Sequence, residues 1–366
     1  MGSDPEVQET VDTRGEGAKI DKLLKLAVEQ RASDLHVAVG APPVLRVDGE
    51  LVVLEGTEPL QPETAAAMLD YIMGEAERSR FEGEGEVDFS YTLNGVGRFR
   101  INGFRQRGTV GIAVRVVPER VPTVEELGLP FVLQELALLD RGLLLVTGPT
   151  GSGKSTTLAA LIDLINRRRK CHIITLEDPI EYLHPHKCSI VHQREIGGDT
   201  RNFPNALRAV LRQDPDVIMV GEMRDSESIG IALTAAETGH LVLASLHTID
   251  AAHTVNRIVD VFPPHQQAQI RVQLAGSLQG IAVQRLVKRR DGTGRVPAFE
   301  VLVATPAVRN LIREGKTHQI PSALQTGARY GMITLEQSLR QLYEKGVIAL
   351  DDYRLHSSAP EKISLR

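Results

Sequence analysis

The chain has 366 residues, of which 42% are apolar and 24% charged, and this composition is typical of a globular protein with two domains. The 42 lysines and arginines against 47 aspartates and glutamates leave a net charge of −5, which disfavours a protein that coats duplex nucleic acid but leaves local basic patches open. The two cysteines, Cys171 and Cys188, exclude a disulfide framework or a four-cysteine zinc site within one chain and indicate a reducing compartment.

The N-terminal segment shows no targeting signal. Residues 1–6 lack a hydrophobic signal core, and Glu6 stands where myristoylation requires serine or threonine. No apolar run approaches the roughly 20 residues of a membrane-spanning helix. We therefore expect a cytoplasmic protein without a membrane span, in which the acidic residues 1–18 form a flexible tail.

Residues 19–117 predict a mixed α+β domain. Apolar residues recur at helical spacing over 20–28, and a second helix is predicted over 62–73. Asp48-Gly49 between two apolar runs favours a hairpin, since both turn positions take positive φ. Alternating apolar residues within 98–116 add strands, so the sheet of this domain is expected to be antiparallel.

A linker over 118–122 is predicted to separate this domain from the next. Pro118 and Pro122 remove backbone donors and fix φ, which interrupts the strand pattern. Beyond the linker, residues 123–366 predict an α/β domain with a parallel sheet covered on both faces. Its strands are short apolar runs that alternate with helical stretches, at 143–146, 173–176, 217–220 and 241–244.

A phosphate-binding loop is the most specific motif of the sequence. The pattern G-x-x-x-x-G-K-[ST] is matched in full, with an apolar strand before it and a helical pattern after it. Backbone N–H groups of such a loop cradle phosphate oxygens, Lys154 is expected to reach the β and γ phosphates, and Ser155 is expected to bind Mg²⁺. The predicted nucleotide-binding residues are Gly148, Pro149, Thr150, Gly151, Ser152, Gly153, Lys154, Ser155 and Thr156.

Acidic residues follow two of the predicted strands. Glu177, Asp178 and Glu181 come after 173–176, and Glu222 follows 217–220. A carboxylate at a strand end is how a P-loop protein places an acid beside magnesium and the attacking water. The sequence offers Glu222 where aspartate is usual, and capping or solvent-facing roles remain open for these residues.

Two histidines bracket the predicted strand at 241–245. Neutral imidazoles of His240 and His247 suit hydrogen bonds to a γ-phosphate or to a carboxylate, and a structural role for each remains open. A zinc site is disfavoured because no cysteine or third histidine lies nearby at ligand spacing.

Three arginines stand apart from the P-loop in sequence. Arg98, Arg100 and Arg115 lie in the first predicted domain, and arginines on a separate module can stabilise transition-state charge in a neighbouring subunit. Their spacing is equally typical of a solvated strand face, so both interpretations stay open.

Together these residues resemble the secretion ATPase family, and within it the type IV pilus retraction ATPases. The resemblance extends from Ala18 to about Asp352 and implies that Glu181 activates water, that Glu222 serves magnesium and water, and that His247 is catalytic alongside Lys154. It rests on an N-terminal motif at 32–36, the P-loop at 148–156, an aspartate box at 175–182, a Walker B segment at 214–225 and a histidine box at 238–248.

Two features point to the retraction subfamily. The related extension and type II secretion ATPases usually carry a four-cysteine zinc element, which this chain cannot build. An octapeptide also resembles the retraction signature AIRNLIRE, with valine in place of the first isoleucine. Its residues are Ala307, Val308, Arg309, Asn310, Leu311, Ile312, Arg313 and Glu314.

The resemblance implies a homohexameric motor that uses ATP and Mg²⁺. It implies a PAS-like first domain, a RecA-like second domain, and a nucleotide bound between them with help from the three arginines. Hydrolysis would change the angle between domains across 118–122 and act on an inner-membrane platform protein, at the inner face of the cytoplasmic membrane. The direction and cargo of the motor follow from the resemblance alone.

Other functions remain open at this point. A nucleic-acid translocase can be built on the same core, although the charge and the 4% aromatic content disfavour it and no nucleic-acid partner is expected. An accessory retraction ATPase and a type II secretion ATPase are nearer alternatives.

Overall fold

The computed structural model describes residues 15, 17–47, 49–118 and 120–357. The chain divides into two compact units, residues 1–119 and residues 120–366, and the division falls within the predicted linker. Several predicted features lie partly outside the described residues: most of the tail at 1–18, Asp48 of the hairpin turn, and Glu119 of the linker.

From Lys19 onwards, the described part of the N-terminal unit combines three helices with a six-stranded antiparallel sheet of order β3-β2-β1-β6-β5-β4. A two-residue turn with positive φ at Arg107 and Gly108 joins β5 to β6, as the twist of a tight hairpin requires. The elements are α1 (Lys19–Glu29), β1 (Asp34–Val37), β2 (Val44–Val47), β3 (Glu50–Val53), α2 (Pro62–Ile72), α3 (Glu75–Glu84), β4 (Glu86–Leu93), β5 (Gly97–Gln106) and β6 (Thr109–Val117).

The core of this unit is apolar throughout. Ile20 and Leu24 of α1 and Met68 of α2 pack against the sheet with Phe99 of β5. One boundary differs from the prediction: Gly17, assigned to the flexible tail, is helical and buried against Tyr71. The ordered part of the unit therefore begins before residue 19.

The second unit is built on a seven-stranded sheet of order β13-β12-β7-β11-β10-β8-β9. All neighbouring strands are parallel except β12 and β13, which form a hairpin. The elements are α4 (Phe131–Ala137), β7 (Gly142–Thr147), α5 (Lys154–Arg168), β8 (His172–Glu177), β9 (Ile190–Glu195), α6 (Phe203–Val210), β10 (Val217–Val220), α7 (Ser226–Glu237), β11 (Leu241–Leu246), α8 (Ala251–Asp260), α9 (Pro264–Ser277), β12 (Leu278–Lys288), β13 (Arg295–Val303), α10 (Pro306–Arg313), α11 (Ile320–Gln325), α12 (Leu335–Glu344) and α13 (Leu350–His356), with short 3-10 helices at Thr317–Gln319 and Ala328–Tyr330.

The predicted strands of the sheet are confirmed, and their fully apolar runs are buried because helices cover both faces. The strand β9 was not predicted, since its sequence Ile190–Glu195 is mostly polar. Parallel strands share one carboxyl edge, so the segments that follow β7, β8, β10 and β11 meet there. That edge carries the predicted nucleotide-binding and acidic residues.

Candidate nucleotide site

The P-loop turns between the end of β7 and the start of α5. Gly148, Gly151 and Gly153 take φ values of +148°, +75° and +85°, which residues with a Cβ rarely adopt. A Cβ on Gly148 would also lie 2.3 Å from the carbonyl oxygen of Gln284 on β12. The glycines of the motif are thus required by the backbone path, which presents the first turn of α5 to the cleft.

Lys154 begins α5, and its side chain folds back over the loop. Its Nζ donates to the carbonyl oxygens of Gly148 at 3.0 Å and Pro149 at 3.1 Å. Burial lowers the pKa of Lys154, whereas the nearby charges of Glu222 and Glu181 raise it. The ammonium is therefore held at the loop by carbonyls that a phosphate oxygen would replace.

The other side chains in and next to the loop differ in their hydrogen bonding. Thr156 Oγ1 lies 3.0 Å from the hydroxyl of Tyr182, and Thr157 donates to Gln284 Oε1 at 2.6 Å. The hydroxyl of Ser152 is buried and has no hydrogen-bond partner among the described residues. Such an orphaned buried hydroxyl suits a loop whose remaining partners arrive with a ligand.

Glu222 follows β10 and is held by a bidentate pair with Arg224. Arg224 Nη2 donates to one carboxylate oxygen at 2.7 Å, and Arg224 Nε lies 2.7 Å from the other. Burial would raise the pKa of Glu222, but the hydrogen bond from Arg224 and the nearby His247 lower it. Glu222 is thus a carboxylate at neutral pH.

His247 follows β11 and connects the lysine to the acid. Its Nε2 lies 3.2 Å from Glu222, and its Nδ1 lies 3.4 Å from Lys154 Nζ and 3.5 Å from Thr150 Oγ1. Because lysine only donates, a neutral imidazole that accepts at Nδ1 and donates from Nε2 satisfies this chain. The structure thus brings Lys154, Glu222 and His247 together, and their roles in catalysis stay predictions.

Glu177 ends β8 as a buried carboxylate. Thr175 Oγ1 donates to it at 2.6 Å and Gln193 Nε2 at 3.1 Å. Burial raises the pKa of Glu177, and these hydrogen bonds only partly oppose that rise. Asp178 and Glu181 are exposed where the chain leaves the strand.

These groups line one cleft of about 400 Å³ at the carboxyl edge of the sheet. Its walls consist of the P-loop, the acidic segments that follow β8 and β10, and the histidine after β11. The lining includes Thr150, Gly151, Lys154, Ser155, Glu177, Asp178, Glu181, Glu222, Arg224 and His247. Sequence positions up to 97 residues apart thus converge on one volume that can hold a polyphosphate.

The structure separates His240 from this cluster. His240 precedes β11 whereas His247 follows it, and six residues of strand span roughly 20 Å at ~3.3 Å per residue. His240 Nδ1 lies 2.9 Å from the carbonyl oxygen of Ala235 at the end of α7. Within this chain the predicted phosphate or carboxylate contact of His240 is wrong, because the strand puts it at the opposite edge.

The three predicted arginines lie on one face of the N-terminal sheet. Arg100 of β5 stands directly opposite Arg115 of β6, and Arg98 is two residues before Arg100. Arg115 Nε donates to Asp34 at 3.0 Å, and Arg98 Nη1 donates to Thr92 at 3.3 Å. The arginines form a cluster, and their action on a neighbouring subunit stays a prediction.

The octapeptide 307–314 forms α10 and its C-terminal end. Val308 and Ile312 are buried, and Arg309 donates to the carbonyl oxygens of Ala275 at 2.7 Å and Gly276 at 2.8 Å. Arg309 therefore caps the carbonyls that end α9, a structural role. The exposed members of the octapeptide are Ala307, Asn310, Arg313 and Glu314.

Sequence reasoning missed three residues of the site. Arg224 and Tyr182 lie within the Walker B segment and the aspartate box but have no predicted role, and Gln193 lies outside every motif. The signal for Arg224 was its spacing, since a residue two positions after a carboxylate in an extended segment can reach the same side. Gln193 carried no signal because its strand was not predicted.

Comparisons with known proteins all indicate the same protein family. The model of the family "Type II/IV secretion system protein" matches residues 17–354. The type IV pilus retraction ATPase PilT of Pseudomonas aeruginosa is 49% identical over 93% of this chain and 99% of its own length. The type IV pilus ATPase PilU of the same organism is 42% identical over 95% of this chain and 91% of its own length.

A solved structure agrees with these relatives. The crystal structure of the pilus retraction motor PilT with bound ADP superimposes with a TM-score of 0.87 at 49% identity, covering 93% of this chain and 98% of that one. The expected architecture, a P-loop ATPase core with a separate N-terminal α+β domain, is confirmed. The chain belongs to the type II/IV secretion system protein family and is a P-loop ATPase.

Proposed function

We propose that this protein is the ATP-driven motor that retracts type IV pili. The observation that carries the proposal is its 49% identity to PilT across nearly the full length of both chains, together with the assembled cluster at the P-loop. The AVRNLIRE octapeptide and the lack of a four-cysteine element support the retraction branch over the type II secretion branch.

The chemistry follows from the cleft. When a triphosphate binds, Lys154 would exchange its hydrogen bonds to the carbonyls of Gly148 and Pro149 for hydrogen bonds to β and γ phosphate oxygens, which strengthens its charge pairing. Glu181 and Glu222 orient and activate the attacking water. His247 contacts both Glu222 and Lys154, so the positions of these two residues are coupled to the γ-phosphate. Glu177 and Asp178 support this arrangement from the end of β8.

Magnesium fits the oxygen donors of the cleft. The Ser155 hydroxyl and the Glu222 carboxylate line the same volume, and hard oxygen ligands are those that Mg²⁺ prefers. When bound, the ion would neutralise phosphate charge during transfer. Ser155 would contact it directly, and Glu222 would hold it or one of its waters.

The motor is proposed to act as a homohexamer on the inner face of the cytoplasmic membrane, through an inner-membrane platform protein. None of the helices among residues 15–357 that the structure describes has the length and apolar character that a membrane crossing needs. The proposed working motion is a change of angle at 118–122 between triphosphate and diphosphate states. Arg98, Arg100 and Arg115 are proposed to contribute in trans.

Complementation tests the function. A type IV piliated strain lacking its own retraction ATPase should regain twitching and pilus retraction when it expresses this chain, and should not regain them with the Lys154→Ala variant. A chain that hydrolyses ATP but restores no retraction would contradict the proposal. Strong, salt-sensitive stimulation of the ATPase by DNA would instead indicate a translocase.

An accessory pilus ATPase is the second candidate, because PilU is 42% identical over nearly the whole chain. The strain for complementation therefore matters. Retraction restored in a strain that lacks every retraction ATPase indicates a self-sufficient motor, whereas restoration only beside a catalytically inactive retraction ATPase indicates an accessory one.

A further inference from the structure

The backbone around Glu181 is fixed at three consecutive residues. The N–H of Ile180 donates to Glu195 Oε2 at 3.0 Å, and the N–H of Glu181 itself is hydrogen-bonded to the carboxylate of Glu177. The carbonyl oxygen of Tyr182 accepts from Gln193 Nε2 at 2.8 Å. Side chains therefore hold the peptide before, at and after the exposed carboxylate.

Two of these contacts come from one face of β9. Gln193 and Glu195 are two residues apart on this strand, so their side chains point the same way. Glu195 is buried, and Gln193 makes two further hydrogen bonds: Nε2 donates to Glu177 at 3.1 Å and Oε1 accepts from the N–H of His184 at 2.8 Å. The amide of Gln193 thus joins the buried cleft acid to the loop on both sides of Leu183.

The far end of the same loop is fastened to α5. Asn166, which is fully buried, donates to the carbonyl oxygen of Pro185 at 2.7 Å and accepts from the N–H of Lys187 at 3.2 Å. Lys187 Nζ also lies 2.5 Å from the buried Asp163. The P-loop helix and β9 therefore hold this loop between them, and the side chain of Glu181 lines the cleft.

Such anchoring matters for a group that must meet a water molecule at hydrogen-bond distance. A displacement of about 1 Å can cost roughly 100-fold in rate, and loop residues reach that precision only when neighbouring contacts over-determine the backbone. We propose that Gln193 and Glu195 are positioning residues that set the catalytic placement of Glu181. The inference rests on the proposed water-activating role of Glu181.

Single substitutions in the full-length protein test the contacts of Gln193 and Glu195. Glu195→Met and Gln193→Met should each lower kcat about tenfold or more while the Kd for a fluorescent ADP analogue stays within about twofold, because the P-loop is untouched. Glu195→Gln keeps an acceptor for the N–H of Ile180 and should recover kcat to within about threefold. His192→Ala, on the opposite face of β9, is the matched control and should stay within about twofold.

A double-mutant cycle separates positioning from general support of the fold. If the strand acts through Glu181, adding Glu195→Met to Glu181→Gln should reduce kcat by less than about threefold beyond Glu181→Gln alone. A full tenfold further loss, or an unchanged kcat in Glu195→Met, would overturn the inference. Should Glu195→Met not fold, Glu195→Asp withdraws the acceptor by one methylene and is used in the same cycle.

The two levels of the proposal fail differently. An unchanged kcat in Glu181→Gln would reject the water-activating role of Glu181, and with it the reason for positioning it. A large loss of kcat in Glu181→Gln, with a further loss of full size when Glu195→Met is added, would support the role of Glu181 and reject only its positioning by β9.

Discussion

The two units of the chain differ in what they bury. Among the described residues, every buried polar or charged side chain lies in the unit that begins at residue 120, while the N-terminal unit buries apolar side chains alone. Lys154, Glu177 and His184 illustrate the first group, and the pair of Arg115 with Asp34 illustrates the exposed ion pairs of the second. Burying ionisable groups is costly unless partners hold them, so a unit that does it repeatedly is specialised for chemistry.

The largest effect should come from the buried lysine. Lys154→Ala removes the cation that would meet the β and γ phosphates, and we expect steady-state phosphate release to fall by about 100-fold or more. Arg168→Ala at the exposed end of the same helix is the control, expected within about twofold. Turnover above one tenth of wild type in Lys154→Ala would contradict the assigned role.

The next effect should separate catalysis from binding. Glu222→Gln preserves shape but removes the charge that Arg224 and His247 contact, so turnover should fall by about 100-fold while nucleotide affinity stays within about threefold. Calorimetric titration with an ATP analogue measures the second quantity. Loss of affinity together with turnover would indicate a structural role instead.

The buried histidine gives a pH-dependent stability. Burial lowers the pKa of His184 to about 4 from an ordinary 6.5, so in acid the unfolded chain takes up the proton first. The contribution of His184 to the free energy of unfolding should be fully present above pH 6.5. It should decline by about 3 kcal/mol between pH 6.5 and pH 4, because one pKa unit corresponds to about 1.4 kcal/mol. Urea unfolding of His184→Asn and wild type across this range tests it; parallel pH profiles for the two proteins would reject it.

The exposed pair of the N-terminal unit should matter least. Partial burial would raise the pKa of Asp34, but hydrogen bonds from Ser33 and Arg115 lower it below 3.8 overall. Its contribution is therefore present at neutral pH and lost as the pH falls through the folded value. Asp34→Asn should cost less than about 1 kcal/mol at pH 7 and less still in high salt. If Asp34→Asn lowered the free energy of unfolding in urea by several kcal/mol, the difference between the exposed ion pair of the N-terminal unit and the buried groups of the second unit would be contradicted.

The fold was predictable where local signals agreed. Glycines with positive φ, an apolar strand before the loop and a helix after it identified the nucleotide site, because that backbone path tolerates few other sequences. The strand β9 escaped prediction because its polar residues Gln193 and Glu195 face a loop and not an apolar core. The spacing of apolar residues indicates which side of a strand is buried against apolar groups, so it does not predict a strand whose buried side chains contact polar groups.

The site was predictable in its residue types but not in its pairings. His240 and His247 looked equivalent in sequence, and only the direction of β11 assigns them to opposite edges of the sheet. Arg309 was identified only as a member of the retraction octapeptide, and the structure shows that its guanidinium caps the end of α9. Both outcomes depend on where distant segments lie, which the spacing of a motif does not encode.

The sequence by itself determined a phosphate-binding loop, a parallel sheet with acids at its strand ends, and a separate antiparallel module, since each follows from local steric and hydrophobic preferences. Tertiary structure decided which acids lie near Lys154, which histidine contacts both Lys154 and Glu222, and which strand holds the backbone of Glu181. Hydrogen bonds between residues far apart in the chain fix those contacts, because their atoms come within hydrogen-bond distance only after the sheet has aligned its strands.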